Sequence, residues 1–217
     1  MDYNYYICDE ITIAKIHLFT DKQAKTMAKV YVFLADGFED IAALAPVDIL
    51  RRGGLDVTTV SVMDTEEVIS AHGVPVRADS IFYDVAVDGG FECPDLLILP
   101  GGMPGASNLR ANEVLCDLLI GQAESGRRIA AICAAPYILG ELGLLKGRNA
   151  TCYPGFERHL KGANYTAELV TTDGNITTGR GPAAALPFAY ELLSFFVDGE
   201  VVKSIKDGMI FTQLMTE

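Results

Sequence analysis

Short apolar runs alternate with amphipathic segments along most of this chain. Two runs, at residues 30–35 and 96–99, have the length and continuous apolar character of strands that are buried on both faces, and residues 55–62 form the next predicted strand. Between them, residues 40–52 carry apolar side chains at helical spacing and end at two glycines, a common helix terminator. This alternation predicts an α/β doubly wound sandwich, in which a mostly parallel sheet is covered by helices on both faces and functional sites lie at the carboxyl ends of the strands.

The remaining segments continue the alternation. Residues 68–77 contain a Gly-Val-Pro break and are expected to form a small hairpin or edge strands. Further helices are expected at residues 113–124, 135–145, 183–197 and 200–206, and further strands at residues 128–132, 149–152, 169–172 and 175–178.

Residues 1–26 differ from the rest, because their aromatic and charged side chains follow no clear period. They also lack the basic start, apolar middle and small-residue cleavage site of a secretory signal. We expect an N-terminal extension at 1–26 and a single domain over 27–217. An added strand or arm is the alternative for the extension, since Ile11 and Ile13 could pair with a neighbouring strand.

Composition narrows the possible partners and the compartment. The 217-residue chain is 50% hydrophobic with a mean hydropathy of +0.25, and no apolar run approaches the ~20 residues needed to cross a bilayer. A net charge of −12 argues against binding to nucleic acid or to an anionic membrane. The five cysteines form neither a C-x-x-C pair nor a zinc-ligand spacing, so we expect no metal and a reducing cytoplasm.

Cys133 stands where the predicted strand 128–132 passes into the next helix. Pro136 suits the first turn of that helix, because proline lacks the amide hydrogen that a helix start leaves unpaired. A thiol at such a turn faces unpaired N–H groups and the positive end of the helix dipole, which favour thiolate over thiol. We therefore interpret Cys133 as a nucleophile on a strand-to-helix elbow, against the alternative of a buried cysteine that only packs.

Two other loops are expected at the same edge of the sheet. Glu39 follows the first strand and could hydrogen-bond the thiol or move a proton, although an acid that only complements a helix N-terminus is the alternative. Gly101 and Gly102 follow the strand 96–99 and would let backbone N–H groups approach a developing oxyanion, although a tight turn is the alternative. The joint occurrence of these residues after successive strands favours a shared site.

Five motifs in order make the chain similar to a known family. They are Gly37-Phe38-Glu39-Asp40, the segment 46–54, Leu99-Pro100-Gly101-Gly102, the segment 130–136 and Gly179-Arg180-Gly181-Pro182. Together they resemble the ThiJ/PfpI superfamily, and within it the branch of the parkinsonism-associated deglycase and its bacterial relatives, over roughly residues 27–208. The resemblance implies a flavodoxin-like sandwich, a homodimer, a reactive elbow cysteine and no cofactor. It also implies glyoxalase or deglycase activity on 2-oxoaldehydes and their protein or nucleotide adducts.

The resemblance assigns individual residues to the site. It places the nucleophile on Cys133, the oxyanion glycines on Gly101 and Gly102, and an arginine able to pair with an anionic substrate group on Arg180. His72 lies in a loop that borders the pocket in related folds and could titrate near neutral pH. A histidine on a surface loop is the alternative.

Two positions depart from the family pattern, and a third residue separates the chain from the peptidase-like members. Ala42 stands where the family usually has a second glutamate that hydrogen-bonds the cysteine sulfur, so either Glu39 or Asp40 substitutes or the thiol depends on the helix terminus alone. Tyr153 replaces a histidine that many members carry beside the cysteine, and it either supplies a hydroxyl group or packs. Ala134, which we expect among the substrate-binding residues with Arg180, Tyr153 and His72, stands where peptidase-like members have a histidine as a base, and this argues against proteolysis.

The leading hypothesis is a cytoplasmic, cofactor-free thiol enzyme that acts on small reactive carbonyls or on glycated adducts. In it Cys133 attacks the aldehyde, Gly101 and Gly102 hold the oxyanion, and Glu39 shuttles the proton. A non-catalytic redox sensor or stress chaperone, acting through oxidation of Cys133, is the main alternative. A hydrolase resembling glutamine amidotransferases is a weaker one, because no convincing histidine and acid pair follows near the end of the chain.

Overall fold

The computed structural model describes residues 27–87 and 94–214, so the extension predicted at 1–26 lies outside the described residues. Its strands are β1 (Lys29–Leu34), β2 (Asp56–Ser61), β3 (Glu67–Ile69), β4 (Pro75–Arg77), β5 (Ser80–Ile81), β6 (Leu96–Leu99), β7 (Arg128–Ile132), β8 (Asn149–Ala150), β9 (Asn164–Tyr165), β10 (Val170–Asp173) and β11 (Ile176–Gly179).

The helices are α1 (Asp40–Arg52), α2 (Phe82–Val87), α3 (Gly105–Ala111), α4 (Glu113–Glu124), α5 (Pro136–Glu141), α6 (Ala185–Ser194), α7 (Gly199–Gly208) and α8 (Phe211–Leu214). Two short 3₁₀ turns add Glu157–His159 and Pro182–Ala184. Within residues 27–87 and 94–214, none of these helices has the length and apolar character to span a bilayer.

Seven strands form the main sheet, in the order β10-β11-β7-β6-β1-β2-β5. All neighbours are parallel except β10 and β11, which form an antiparallel pair. The chain moves outward from β1 through β2 to β5 and then returns to β6 on the other side of β1. The strand order therefore reverses between β1 and β6, and the crevice at the carboxyl ends of these strands is where such folds bind ligands.

Each face of the sheet has its own hydrophobic core. Alternate residues of β1 point to opposite faces, because successive side chains of a strand alternate. Val32 packs with residues of α1, α6 and α7 in one cluster. Phe33 packs with residues of α3, α4 and α5 in the other. This arrangement confirms the prediction of a flavodoxin-like sandwich with helices on both faces.

Several predicted elements have the bounds that the pattern gave, namely α1, α4, β6 and β7, and the hairpin of β3 and β4 is also present. The helix predicted at 135–145 is shorter, because α5 ends at Glu141 and Gly143 turns the chain with a φ of 76°. Leu145 therefore lies in the turn that follows α5, and its side chain is still fully buried. Three short helices, α2, α3 and α8, were not predicted, because four to seven residues give too little periodicity to recognise.

Candidate active site

Backbone hydrogen bonds join the loops after β1 and β6, and the loop after β7 packs against them. The amide of Glu39 donates to the carbonyl of Gly101 at 2.8 Å, and the amide of Gly105 donates to the carbonyl of Gly37 at 3.2 Å. Gly101 in turn lies against Cys133. The structure thus brings together the three loops that the sequence placed at one edge of the sheet.

Cys133 occupies a sharp turn between β7 and α5. Its φ is 65°, one of three positive values among the non-glycine residues that the structure describes. This conformation costs an L-residue about 1–2 kcal/mol, and such strain is concentrated at functional positions. Pro136 is the first residue of α5, as predicted. The local geometry is therefore that of a nucleophile elbow.

The Cys133 side chain is enclosed, with only 6% of the residue exposed. This burial raises the pKa of the thiol, although the backbone amides of Gly102 and Ala134 hydrogen-bond the sulfur and lower it, and the charge of Glu39 raises it further. The prediction that the helix terminus favours a thiolate is therefore wrong in direction. The loss of hydration outweighs the two amide hydrogen bonds, and this burial disfavours the thiolate.

Glu39 combines a structural position with a position near the sulfur. It is the N-cap of α1, and its carboxylate accepts a hydrogen bond from the Ala42 amide at 2.6 Å. It is only 8% exposed, and its negative charge acts on Cys133. The helix-terminus role that the sequence left as an alternative is thus present, and from this position the Glu39 charge acts on the Cys133 sulfur. Ala42 is fully buried in the same core cluster as Cys133.

Gly101 and Gly102 are places where no side chain fits. A Cβ atom on Gly101 would lie 2.6 Å from the Cβ of Cys133 and 2.7 Å from the amide nitrogen of Ala134. Gly102 has a φ of 91°, and a Cβ atom there would overlap the backbone of Gly37 and Glu39. The backbone amide of Gly102 donates a hydrogen bond to the Cys133 sulfur. Gly101 instead lets the loop after β6 pack closely against Cys133.

Ala134 supplies the second amide, a role that the sequence analysis did not assign to it. This role could have been predicted from the position of Ala134 in the sequence, because the residue after an elbow nucleophile commonly donates its backbone N–H to an oxyanion hole.

His72 is held against the start of α1. Its Nδ1 lies 2.6 Å from Asp40 Oδ2, and the hydroxyl of Ser70 donates to Asp40 Oδ1 at 2.6 Å. The hydrogen bond and charge of Asp40 raise the pKa of His72. Burial raises the pKa of Asp40, but hydrogen bonds from Ser70 and His72 outweigh this effect and lower it. The alternative of a histidine on a surface loop is confirmed, since 69% of the His72 side chain is exposed. The ring nevertheless has a fixed position, because it contacts Asp40.

The same residues form a grouping that has the geometry to hold a cation. Within the described ranges, Glu39, Asp40 and His72 are the one set of three ligand-type residues whose polar atoms all lie within 4.8 Å of one another. Asp40 already binds Ser70 and His72, and Glu39 binds the Ala42 amide.

Tyr153 and Arg180 line a small cavity beside the elbow. The amide of Tyr153 donates to the carbonyl of Cys133 at 2.7 Å, which fixes this loop to the nucleophile. The ring of Tyr153 is partly exposed and packs against Gly181. The Arg180 guanidinium donates to the carbonyl of Ala167. The cavity has a volume of ≈ 200 Å³ and is otherwise lined by apolar groups, so it can receive a small organic group beside a cation.

Cys152 lies close enough to Cys133 for the charges of the two sulfurs to interact. It is fully buried, and this burial raises the pKa of its thiol to about 12. Cys152 is therefore unreactive near neutral pH, because the thiolate is the nucleophilic form. The spacing of the two cysteines in the sequence could not show this proximity.

Comparison with known proteins identifies related chains. Residues 28–195 match the model of the DJ-1/PfpI family. The chain is 37% identical over 184 residues to Protein DJ-1 homolog B of Arabidopsis thaliana, covering 84% of this chain and 41% of that protein. It is 33% identical over 192 residues to Protein DJ-1alpha of Drosophila melanogaster, covering 88% and 87%. The chain thus spans about two fifths of the Arabidopsis relative but most of the Drosophila one.

Solved structures show the same similarity. Oxidized Toxoplasma gondii DJ-1 superposes with a TM-score of 0.79 at 35% identity, covering 84% of this chain and 98% of that one. Drosophila melanogaster DJ-1beta gives a TM-score of 0.79 at 32% identity, covering 85% and 98%.

Proposed function

The chain belongs to the DJ-1/PfpI family, in its DJ-1 branch, and we propose that it is a cofactor-independent enzyme that uses Cys133 to convert 2-oxoaldehydes, or their protein and nucleotide adducts, to hydroxy acids. The observation that carries the proposal is the strained elbow conformation of Cys133, with two backbone amides directed at its sulfur and the Glu39 charge beside it. Packing alone needs neither the strain nor the two donors.

The first step is addition of the thiol to the aldehyde. The Cys133 sulfur forms a bond to the aldehyde carbon while its proton passes to the Glu39 carboxylate, which then gives the proton to the former aldehyde oxygen; the product is a hemithioacetal and Glu39 is again a carboxylate. Because burial disfavours the thiolate, the transfer from sulfur has to accompany attack. The amides of Gly102 and Ala134 lie at the sulfur and can hold the charge that develops on the adjacent oxygen.

The second step moves hydrogen within the substrate. Glu39 moves the proton of the former aldehyde carbon to the oxygen of the neighbouring carbonyl group, giving an enediol, and then moves the hydroxyl proton of the first carbon to the second carbon. The first carbon is thereby oxidised to a thioester and the second is reduced to an alcohol, so no external oxidant or reductant is needed. Water then hydrolyses the thioester, which releases the 2-hydroxy acid and restores the thiol.

The cavity lined by Tyr153 and Arg180 is the proposed site for the rest of the substrate. Its small volume suits a short carbonyl compound or the end of an adduct. The Arg180 guanidinium favours a negative group there, because it presents several N–H donors in a fixed plane.

Ala42 makes the sensor alternative less favourable than the enzyme. A sulfinate formed on Cys133 would need hydrogen-bond donors to balance its charge. The amides of Gly102 and Ala134 would supply two, but the methyl group at position 42 supplies no further one, whereas the enzymatic scheme uses Glu39, whose charge acts on the sulfur.

We also propose a homodimer and a cytoplasmic location. Ile41 is 54% exposed and Leu44 is 37% exposed on α1, an apolar face that a second copy of the chain would cover. The three cysteines in the part of the chain that the structure describes, Cys116, Cys133 and Cys152, are free thiols, as expected in a reducing compartment.

The test is the formation of lactate from methylglyoxal by wild type, Cys133→Ser and Cys152→Ser. We expect Cys133→Ser to lower kcat by at least about 10²-fold, since it removes the nucleophile. Cys152→Ser is the matched control, because it alters a neighbouring buried thiol and should retain the rate. Equal lactate production by all three proteins, or none by the wild type, would reject the proposal.

A further inference from the structure

We propose that the cavity beside the elbow is a subsite for an aromatic ring, and that the protein prefers aryl 2-oxoaldehydes, of which phenylglyoxal is the simplest, over methylglyoxal. The inference deepens the proposed function and rests on it, because the ring belongs to the carbonyl compound that Cys133 attacks. Tyr153 is the specificity-determining residue of this subsite.

Both walls of the cavity are joined to the backbone of the nucleophile. The amide of Tyr153 donates to the carbonyl of Cys133 at 2.7 Å. The amide of Cys133 donates to the carbonyl of Gly179 at 2.9 Å, and the next residue, Arg180, lines the opposite wall. In an aryl 2-oxoaldehyde only the keto carbon separates the ring from the aldehyde carbon. When the aldehyde carbon is bonded to sulfur, the ring is therefore held close to these walls.

The cavity has the size and the lining that an aromatic ring needs. Its volume is ≈ 200 Å³, and an apolar protein cavity of about 150 Å³ is enough to hold benzene. Among the described residues that line it, Arg180 is the one with a charge, and the apolar ones include Pro154, Leu169 and Pro182. A methyl group would leave most of this apolar surface in contact with water, whereas a phenyl group would cover it.

The ring of Tyr153 forms one side of the subsite. It rests on the backbone of Gly181, where an added Cβ atom would lie 3.2 Å from Cδ2 of the tyrosine. The residue is still 46% exposed, so a ligand can reach the ring. Aromatic rings attract one another in offset or edge-to-face arrangements, and this attraction favours a phenyl group over an alkyl group of similar size.

Arg180 is held in place by the loop that precedes β10. Its guanidinium donates to the carbonyl of Ala167, and its amide donates to the carbonyl of Leu169 at 2.9 Å. A planar guanidinium in a fixed position can stack on an aromatic ring. An anionic group would also be attracted to Arg180, but it would lose hydration against the apolar remainder of the lining, and this loss favours the ring.

The experiment compares kcat/KM for phenylglyoxal and methylglyoxal in wild type, Tyr153→Ala and Tyr165→Ala, with mandelate and lactate as the measured products. Tyr165 is a matched control, because it is a tyrosine of similar exposure, 38%, on β9 and not among the residues that line the cavity. A difference of one methylene group in an apolar pocket is worth about 10- to 200-fold in discrimination. We therefore expect the ratio of the two kcat/KM values to fall at least about tenfold in Tyr153→Ala and to stay at the wild-type value in Tyr165→Ala.

Tyr153→Phe separates the ring from the hydroxyl group. It keeps the aromatic surface, so it should keep the wild-type ratio of phenylglyoxal to methylglyoxal turnover. A ratio that falls as far in Tyr153→Phe as in Tyr153→Ala would show that the hydroxyl group, not the ring, discriminates between the substrates, and the aromatic subsite would then be wrong.

Alkylation of Cys133 tests the subsite without turnover. Iodoacetanilide, iodoacetamide and iodoacetate share the reacting group but carry a phenyl ring, no further group and a negative charge, respectively. Their rates are followed by intact mass relative to the rates with free cysteine, and Cys133→Ser identifies the alkylated residue. We expect wild-type Cys133 to favour iodoacetanilide and Tyr153→Ala to lose this preference.

These outcomes separate the subsite from the enzyme. If neither aldehyde is converted in a Cys133-dependent reaction, the proposed function is wrong, and the alkylation rates still decide whether the cavity binds a ring. If lactate formation depends on Cys133 but both preferences are the same in wild type and Tyr153→Ala, or iodoacetate is the favoured reagent, the inference is overturned and the proposed function stands.

Discussion

Replacing Gly101 with alanine tests whether the loop after β6 sets the position of the nucleophile. The new Cβ would lie 2.6 Å from the Cβ of Cys133, 2.7 Å from the amide nitrogen of Ala134 and 2.9 Å from the carbonyl oxygen of Ile132. Two of these three atoms belong to the backbone, so no flexible side chain can move aside. Ordinary contact begins at 3.4 Å, and the elbow must therefore retreat by about 0.8 Å.

Two magnitudes follow from this displacement. A misplacement on the order of 1 Å can cost about 10²-fold in rate, so we expect kcat/KM for methylglyoxal to fall between about 10- and 100-fold. Overpacking of this kind costs about 1–3 kcal/mol of folding stability. The Gly101 carbonyl also binds the amide of Glu39, so the same shift disturbs the proposed proton acceptor.

Gly121→Ala is the matched control. Gly121 lies within α4, and nothing lies within 4 Å of an added Cβ. Alanine should therefore raise stability by about 0.5–1 kcal/mol, because glycine is unfavourable inside a helix, and it should leave the rate unchanged. The measurements are lactate formation, iodoacetamide alkylation of Cys133 and thermal unfolding of each protein. A folded Gly101→Ala protein with wild-type turnover and alkylation would refute the reasoning.

Three further predictions follow from the site. Ala42→Glu should increase Cys133-dependent lactate formation, because a carboxyl group in that buried position is largely neutral and can donate to the sulfur; an unchanged or lower rate would contradict this account. Alkylation of Cys133 should still accelerate above pH 9.0, its ordinary pKa, because burial raises that pKa and only the thiolate reacts; a plateau below pH 8.0, roughly the lower end for free thiols, would show the opposite shift. Ile41→Glu should convert the proposed dimer to a monomer in analytical ultracentrifugation, because it places a charge on the exposed apolar face of α1. Glu113→Ala, on the exposed surface of another helix, is the control and should leave the dimer intact. A wild-type sedimentation profile for Ile41→Glu would place the interface elsewhere.

Local patterns gave several elements accurately. Residues 40–52 form α1 with the predicted bounds, because apolar spacing, an N-capping acid at Glu39 and a terminating glycine at Gly53 agree with one another. The strand β6 was predicted equally well from the sequence. Its four consecutive large apolar residues are typical of a strand in the middle of a parallel sheet, where both faces are buried. The short helix α3 was missed because it depends on the loop that precedes it.

The sequence predicted those parts of the candidate site whose residues are brought together by the order and direction of the strands alone. Parallel strands bring their carboxyl ends to one edge, so Glu39, Gly102 and Cys133 were expected together and are found together. The pairing of Asp40 with His72 was not expected, because the two residues are 32 positions apart and meet only through the loop that follows β3.

The sequence by itself determined the order of strands and helices, the family and the identity of the elbow residue, because these depend on patterns that span a few neighbouring residues. Only the tertiary structure decided the direction in which the pKa of Cys133 is shifted. The helix terminus that favours thiolate is a local feature, but the loss of hydration that opposes it depends on atoms from β1, β6 and the loops after them. Desolvation is a property of everything packed around a group, and therefore no short segment of the chain contains it.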